Sequence, residues 1–297
     1  MINIRTILCP LDLSDTSGTA FDYAAMLARW YGASLTVLEM VWPGVPPIGP
    51  ATSAMPITPE QMQEFSAELQ AFVDAKKPAG VTVDVKLREG AVVRGILQEA
   101  RAISADLIIM GTHGRGGFDR FILGSVTEKV LRKSPYPVLT VPPKTEGVGT
   151  SAQPFQTIVC PIDFSVASER ALHFALSLAQ ESGKRLRLLH VLEWPVDRTP
   201  TPGFGPDTSE IRRRHEESAL RELHALVPDD ARIWCDCTEQ IAIGRPYEEI
   251  LRVSSEERAD LIVMGVHGRS GVELALFGST TNHIVRGATC PVLTIRP

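Results

Sequence analysis

The sequence is poor in the features that announce a membrane, secreted or nucleic-acid-binding protein. No uninterrupted apolar run approaches the ~20 residues that span a bilayer. The first residues, MINIRTILCPLDLSD, carry no charged lead followed by an apolar core and cleavage site, so a cytoplasmic location is expected. Five cysteines in 297 residues are too few and too scattered for a disulfide framework. Cys9 and Cys160 fall in matching apolar strands and read as buried core thiols, whereas Cys235 and Cys237 form a C-x-C whose alternation points both to one strand face. Partners for a metal site there are not evident, so no metal is expected. No excess of basic charge exists either. The formal net charge is −5, with −1 over residues 1–150 and −4 over 151–297, which argues against a nucleic-acid or anionic-membrane partner.

What is present is an ordinary soluble composition, 44% apolar and 22% charged, in a chain long enough for two domains. The chain repeats itself. Thr6–Ser14, TILCPLDLS, returns as Thr157–Ser165, TIVCPIDFS, at an offset of 151. Ala105–Gly111, ADLIIMG, returns as Ala259–Gly265, ADLIVMG, and Pro137–Val141, PVLTV, as Pro291–Ile295, PVLTI, both at an offset of 154. The copies are collinear, which predicts domains over 1–143 and 155–297 joined by a Gly-, Thr-, Ser- and Pro-rich linker from Pro143 to Pro154.

Within each copy apolar runs alternate with amphipathic segments. Strands are predicted at about 4–11, 34–41, 81–87, 106–110 and 137–141, and at 157–164, 186–192, 232–238, 260–264 and 291–295. Most are near-continuous Val/Ile/Leu runs, the mark of strands covered on both faces. Phe21, Ala24, Ala28 and Tyr31 recur at helical spacing after Ser14 and Asp15, as do Leu172, Ala175, Leu178 and Ala179 after Ser165, and these polar residues are candidate N-caps. A β-α-β order predicts an α/β fold, two doubly wound parallel-sheet domains in tandem, with ligands beyond the carboxyl ends of the strands.

The fourth strand of each copy runs into a glycine-rich loop. The first reads Gly111-Thr112-His113-Gly114-Arg115, with nine residues between Gly114 and Gly124-Ser125; the second reads Gly265-Val266-His267-Gly268-Arg269, with Gly278-Ser279 at the same spacing. Glycine after a strand lets the backbone turn and approach a ligand closely. Gly124-Ser125 and Gly278-Ser279 open the next helix, whose unpaired N–H groups and dipole favour an anion, and a polyphosphate suits such a loop. The same glycines could simply make turns, but two copies of identical spacing favour the phosphate reading. No G-K-[ST] follows, so this is not a Walker A loop, and no G-x-G-x-x-G marks a dinucleotide fold. His113 and His267 share one loop slot, and each reads either as a phosphate contact or as a solvated loop histidine. Arg115 and Arg269 read either as phosphate counter-charges or as surface arginines. Asp12 and Asp163 end the first strands, where they either accept from ribose hydroxyls or serve the start of the next helix.

With G-x2-G-x9-G-S present twice, the chain resembles a tandem universal stress protein of the UspA type, ATP-binding subclass, over nearly the whole of both copies. The resemblance implies an adenine nucleotide alpha hydrolase-like five-stranded parallel sheet of order 3-2-1-4-5, with ATP or ADP, accompanied by Mg²⁺ where the phosphates bring it, across the ends of strands one and four. It implies nucleotide contacts from Gly111, Gly114, Gly124 and Ser125, and from Gly265, Gly268, Gly278 and Ser279. It also implies Asp12 and Asp163 near the adenosine, each in a motif with Pro10 or Pro161, and Met40 or Val41 and Val191 against adenine. One departure lies at the end of strand two, where the family often has the His found here at His190 but the first copy has Glu39. Proline-rich stretches at 43–59 and 195–206 follow strand two as candidate partial lids. The implied function is nucleotide-dependent regulation in a stress response, with weak ATP hydrolysis or phosphotransfer, or an empty interaction scaffold, as the alternatives. The last strand of each copy, which mediates dimerisation in that family, implies an intramolecular pseudo-dimer, with a homodimer of tandems as an extension.

Overall fold

The computed structural model describes residues 2–42, 57–76, 80–114, 123–143, 155–182, 185–193, 208–266 and 278–296. The chain divides into two compact units, Asn3–Pro154 and Phe155–Pro297, with Met1–Ile2 grouped with the second. The first unit runs β1 (Thr6–Leu11), α1 (Asp15–Tyr31), β2 (Ser34–Val41), α2 (Pro59–Lys76), β3 (Val83–Glu89), α3 (Val92–Ala102), β4 (Leu107–Gly111), α4 (Ser125–Lys133) and β5 (Val138–Val141). Its strands lie in the order β3-β2-β1-β4-β5, all paired in parallel. The second unit runs β6 (Thr157–Pro161), α5 (Val166–Ser182), β7 (Arg185–Leu192), α6 (Thr208–Leu226), α7 (Ala231–Trp234), β8 (Asp236–Ile243), α8 (Pro246–Glu256), β9 (Leu261–Gly265), α9 (Ser279–Gly287) and β10 (Val292–Ile295). Its parallel order, β8-β7-β6-β9-β10, repeats the first.

The continuous apolar strands are covered on both faces, as their sequences imply. Ile7, Leu8 and Cys9 of β1 and Ile158, Val159 and Cys160 of β6 are all fully buried. Burial pushes the thiols of Cys9 and Cys160 far up, so both are inert packing residues. Phe21, Ala24 and Ala28 turn one stripe of α1 onto the sheet, and Phe21 meets Phe72 of α2 edge to face at 5.7 Å between centroids. Ser14 caps α1 through its Oγ, which accepts from the Ser17 N–H at 3.3 Å, and Gly32 ends it at φ 63.

One predicted strand is displaced. Residues 232–234, read as the start of a strand, instead belong to the short helix α7, and β8 begins only at Asp236. Pro228 and Asp230 start the turn, since their carbonyls accept from the Ala231 and Ile233 N–H groups at 3.0 and 3.1 Å. Ile233, apolar enough to suggest a strand, stands 86% exposed. The candidate lids over 43–59 and 195–206 lie outside the described residues apart from 57–59, where Pro59 opens α2.

Candidate nucleotide site

In both copies the site begins with a short Asp-x-Ser bend where the first strand leaves the sheet. Asp12 Oδ1 accepts from the Ser14 N–H at 3.1 Å and from its Oγ–H at 2.6 Å. Asp163 Oδ1 holds Ser165 at the same 3.1 and 2.6 Å. Each serine passes the interaction on, because its Oγ also accepts from the first turn of the helix, from Ser17 N–H at 3.3 Å and Ser168 N–H at 3.2 Å. A hydroxyl has one proton and two lone pairs, so both bonds coexist. The aspartates are therefore not the caps themselves; they hold the capping serines. The bend between them is strained, with Leu13 at φ 57 and Phe164 at φ 59, a left-handed conformation that residues of this bulk rarely adopt.

The loop after the fourth strand packs against this bend. A Cβ on Gly114 would lie 2.6 Å from Asp12 Oδ2, so the absent side chain is what lets the loop backbone reach the carboxylate. Gly111 and Gly265 serve a different need. A Cβ there would strike the first turn of the neighbouring helix, Thr16 Cγ2 at 2.8 Å and the carbonyl carbon of Ala167 at 2.8 Å, so these two glycines admit helix to strand. The motif makes these glycines look alike, and the packing separates their roles.

The helix that follows is tied back to the same loop. The Gly124 N–H donates to Thr112 O at 2.8 Å, and Thr127 Oγ1 donates to Gly111 O at 2.8 Å. In the second copy Gly278 N–H reaches Val266 O at 3.3 Å, and Thr281 Oγ1 reaches Gly265 O and Val266 O at 3.3 and 3.2 Å. Gly124 and Gly278 occupy the N-cap positions of α4 and α9, where no side chain caps the helix, so the first-turn amides open toward the cavity. The threonines were overlooked in the sequence, although the signal was there: Gly-Ser-x-Thr occurs at Gly124–Thr127 and again at Gly278–Thr281.

A cavity of about 490 Å³ results in the first unit, lined among others by Pro10, Asp12, Gly111, His113, Gly114, Gly124 and Ser125. The second unit has one of about 530 Å³, bounded by Pro161, Asp163, Val191, Gly265, Gly278 and Ser279. Both volumes fall in the range of small-molecule sites. His113 is buried, its Nδ1 2.9 Å from Thr112 Oγ1. Arg115, His267, Gly268 and Arg269 lie outside the described residues. Among the described lining residues no lysine or arginine occurs, so the uncapped helix starts supply the attraction for an anion there.

The two cavities differ at the end of the second strand. In the second copy the lining continues through Leu189, His190, Val191, Leu192 and Glu193. His190 is fixed by an Nδ1–H bond to Ile162 O at 2.7 Å and lies 4.7 Å from the Phe164 ring. In the first copy neither Met40 nor Val41 is among the described lining residues, and Glu39 is buried in the place of His190. The Met40 thioether instead occupies the space that a Cβ on Gly95 of α3 would fill. Ile96 and Ile250, at matching positions of α3 and α8, line both cavities, as do Val92 and Pro246.

A five-stranded parallel sheet of this order, with a glycine-rich loop and an uncapped helix start facing the end of the first strand, defines the class. The model of the universal stress protein family matches residues 3–142 and again 154–296. The chain belongs to that family, with two of its domains in tandem. A universal stress protein of Mycolicibacterium smegmatis is 28% identical over 300 residues, covering 98% of this chain and 97% of the relative. The crystal structure of a universal stress protein from Archaeoglobus fulgidus shares the fold at TM-score 0.67 and 22% identity, over 99% of both chains. Another, crystallised in complex with cAMP, aligns with 48% of this chain and 100% of its own at 27% identity and TM-score 0.36.

Proposed function

We propose that this chain is an ATP- or ADP-binding regulatory protein of the stress response, each copy holding its nucleotide by the phosphates at the G-x2-G-x9-G-S loop. The observation that carries the reading is the facing arrangement in each cavity. An uncapped helix start at Gly124-Ser125 or Gly278-Ser279 stands on one side, and a carboxylate braced by its serine, Asp12 or Asp163, on the other. Amides and a helix dipole suit the phosphates, and a fixed carboxylate suits ribose hydroxyls. A triphosphate beside a carboxylate also calls for positive charge. Mg²⁺ carried by the nucleotide would supply it, with the hard oxygens of Asp12, Asp163 and the loop serines as suitable donors, and Arg115 and Arg269 are placed in sequence to assist.

The second copy is the better base site. Its cavity extends along Val191 and His190, whereas Met40 leaves the corresponding end of the first cavity to packing. Binding without a Walker lysine favours regulation over fast turnover, with occupancy altering the loops that partners meet in the cytoplasm. Mass spectrometry of nucleotide released from the freshly purified, acid-denatured protein tests the reading. Adenine nucleotide near one equivalent or more per chain supports it, and its absence together with no saturable uptake of added ATP or ADP overturns it.

A further inference from the structure

At the other end of the second unit's sheet, α7 runs into β8 through Cys235-Asp236-Cys237. The pair lies outside the cavity: Cys237 is in register with Leu186, three strand steps and about 10 Å before Leu189, where the β7 lining of the cavity begins. Cys235 is buried and Cys237 half-buried, while Asp236 between them is exposed, so both sulfurs share the inner face.

Their geometry is tighter than a strand allows. The Cys237 N–H donates to Cys235 O at 2.9 Å, an i to i+2 closure centred on Asp236. Such a closure brings the two Cα atoms nearer than the ~6.6 Å of two extended residues, into the span that a disulfide bridges. The Cys235 N–H is held by Ala231 O at 2.9 Å, which fixes the first cysteine to the end of α7. The two thiols act on each other's ionisation in opposite directions.

The surroundings give the sulfurs different characters. The neighbouring Cys235 thiol, and after it Arg232, draw the Cys237 thiol below its ordinary range against burial and the opposing carboxylates of Glu239 and Asp236. Arg232 is held in place by Glu239 Oε1 at 2.5 Å and His224 O at 3.0 Å. Cys235 is held far above its range, first by the neighbouring Cys237 thiol and then by burial. The other cysteines lack such a neighbour: Cys9, Cys160 and Cys290 are buried, and Cys290 is pushed up to about 12. Among the described residues no group of three or more His, Cys, Asp or Glu side chains could hold a metal ion. A thiol pair on its own does redox chemistry.

We propose that Cys235 and Cys237 are an oxidisable dithiol, a modification site in which a hydroperoxide turns the pair into a reversible C-x-C disulfide. The Cys237 thiolate attacks the terminal peroxide oxygen. The O–O bond breaks, the alcohol or water leaves with the thiol's proton, and Cys237 becomes a sulfenic acid. Cys235 sulfur then attacks Cys237 sulfur, the S–O bond breaks, and the hydroxyl leaves as water with the Cys235 proton. The two sulfurs have lost two electrons and the peroxide has gained them. Two molecules of a small thiol reverse the change and leave as their own disulfide. Because the backbone closure holds Cys235 two residues away on the same short turn, the second step is intramolecular and precedes further oxidation of the sulfenic acid.

The test uses the intact native chain. It is treated with a small excess of hydrogen peroxide, alkylated under denaturing conditions and digested with trypsin. Both cysteines fall in the peptide Ile233–Arg252, because Pro246 protects the bond after Arg245, and no other cysteine shares it. The expected peptide is unalkylated and two hydrogens lighter than the reduced form, and dithiothreitol before alkylation restores two alkyl groups. Cys9, Cys160 and Cys290 remain alkylatable thiols. In Cys235→Ser, Cys237 is trapped by dimedone as the sulfenic acid; in Cys237→Ser, Cys235 stays reduced. Three results in the wild-type chain would overturn the proposal: two free thiols after peroxide, sulfinate at Cys237 beside a free Cys235, or chains cross-linked to one another.

Discussion

Two alanine substitutions of glycines from the same motif should fail in opposite ways. In Gly114→Ala the new Cβ would sit 2.6 Å from Asp12 Oδ2, where ordinary contact begins near 3.4 Å, so about 0.8 Å must be recovered. The carboxylate is the end of a side chain and can retreat, but doing so pulls Oδ1 away from the Ser14 hydroxyl at 2.6 Å and N–H at 3.1 Å. Weakening a charge-assisted pair of that kind costs about 1.5 kcal/mol, felt mainly by a ligand that needs the carboxylate in place, or roughly tenfold in Kd. The folding cost is smaller, below ~1 kcal/mol, because the Ser14 cap is perturbed rather than removed. In Gly265→Ala the obstruction is backbone: the Ala167 carbonyl carbon at 2.8 Å and Ser168 N at 2.9 Å. Backbone cannot swing aside, so the start of α5 must shift bodily, at about 1–3 kcal/mol of stability. That corresponds to a fall in Tm of roughly 3–4 °C per kcal/mol for a domain of this size. Isothermal titration with ATP and thermal melts on each variant separate the effects. Wild-type affinity in Gly114→Ala, or wild-type stability in Gly265→Ala, would refute this division of labour between the two glycines.

Other substitutions probe neighbouring contacts. Ser14→Ala removes the α1 cap and the partner of Asp12 together, and denaturant melts should show a loss of about 1 kcal/mol along with weaker nucleotide binding. Met40→Ala should open the base end of the first cavity and raise the affinity of the weaker of two ATP sites in calorimetry, whereas Val191→Met should weaken the stronger one. Lys86→Met leaves the nearly buried Glu99 without its 2.8 Å partner, which should cost about 2 kcal/mol in urea melts. Its hydrogen bond to Glu99 raises the Lys86 pKa. The stability from that pair is therefore complete below the ordinary lysine range and declines as pH rises through the higher folded value, so alkaline melts of wild type and Lys86→Met should converge.

Much of the fold was legible because it rests on local pattern. The buried runs at Ile7–Cys9 and Ile158–Cys160 announced two-faced strands, and the repeat itself carried the strand order to the second copy. Tertiary facts stayed hidden. Ile233 suggests a strand by composition, yet the turn started by Pro228 and Asp230 places it in an exposed helical turn. Gly111 and Gly114 look alike in a motif, but one faces Thr16 and the other Asp12, which only packing distinguishes. The asymmetry of the two base ends was visible as Glu39 against His190, whereas the seating of Met40 on Gly95 depends on how α3 meets β2.

If these cavities hold adenine nucleotide by its phosphates, affinity must depend on the length of the phosphate chain. A calorimetric titration of the nucleotide-free chain with ATP, ADP and AMP tests it most directly. Saturable binding of ATP and ADP is expected, with weaker binding of AMP and loss of the tighter site on Asp163→Ala. Equal affinity for all three nucleotides, or no saturable heat from a folded chain, would contradict that expectation.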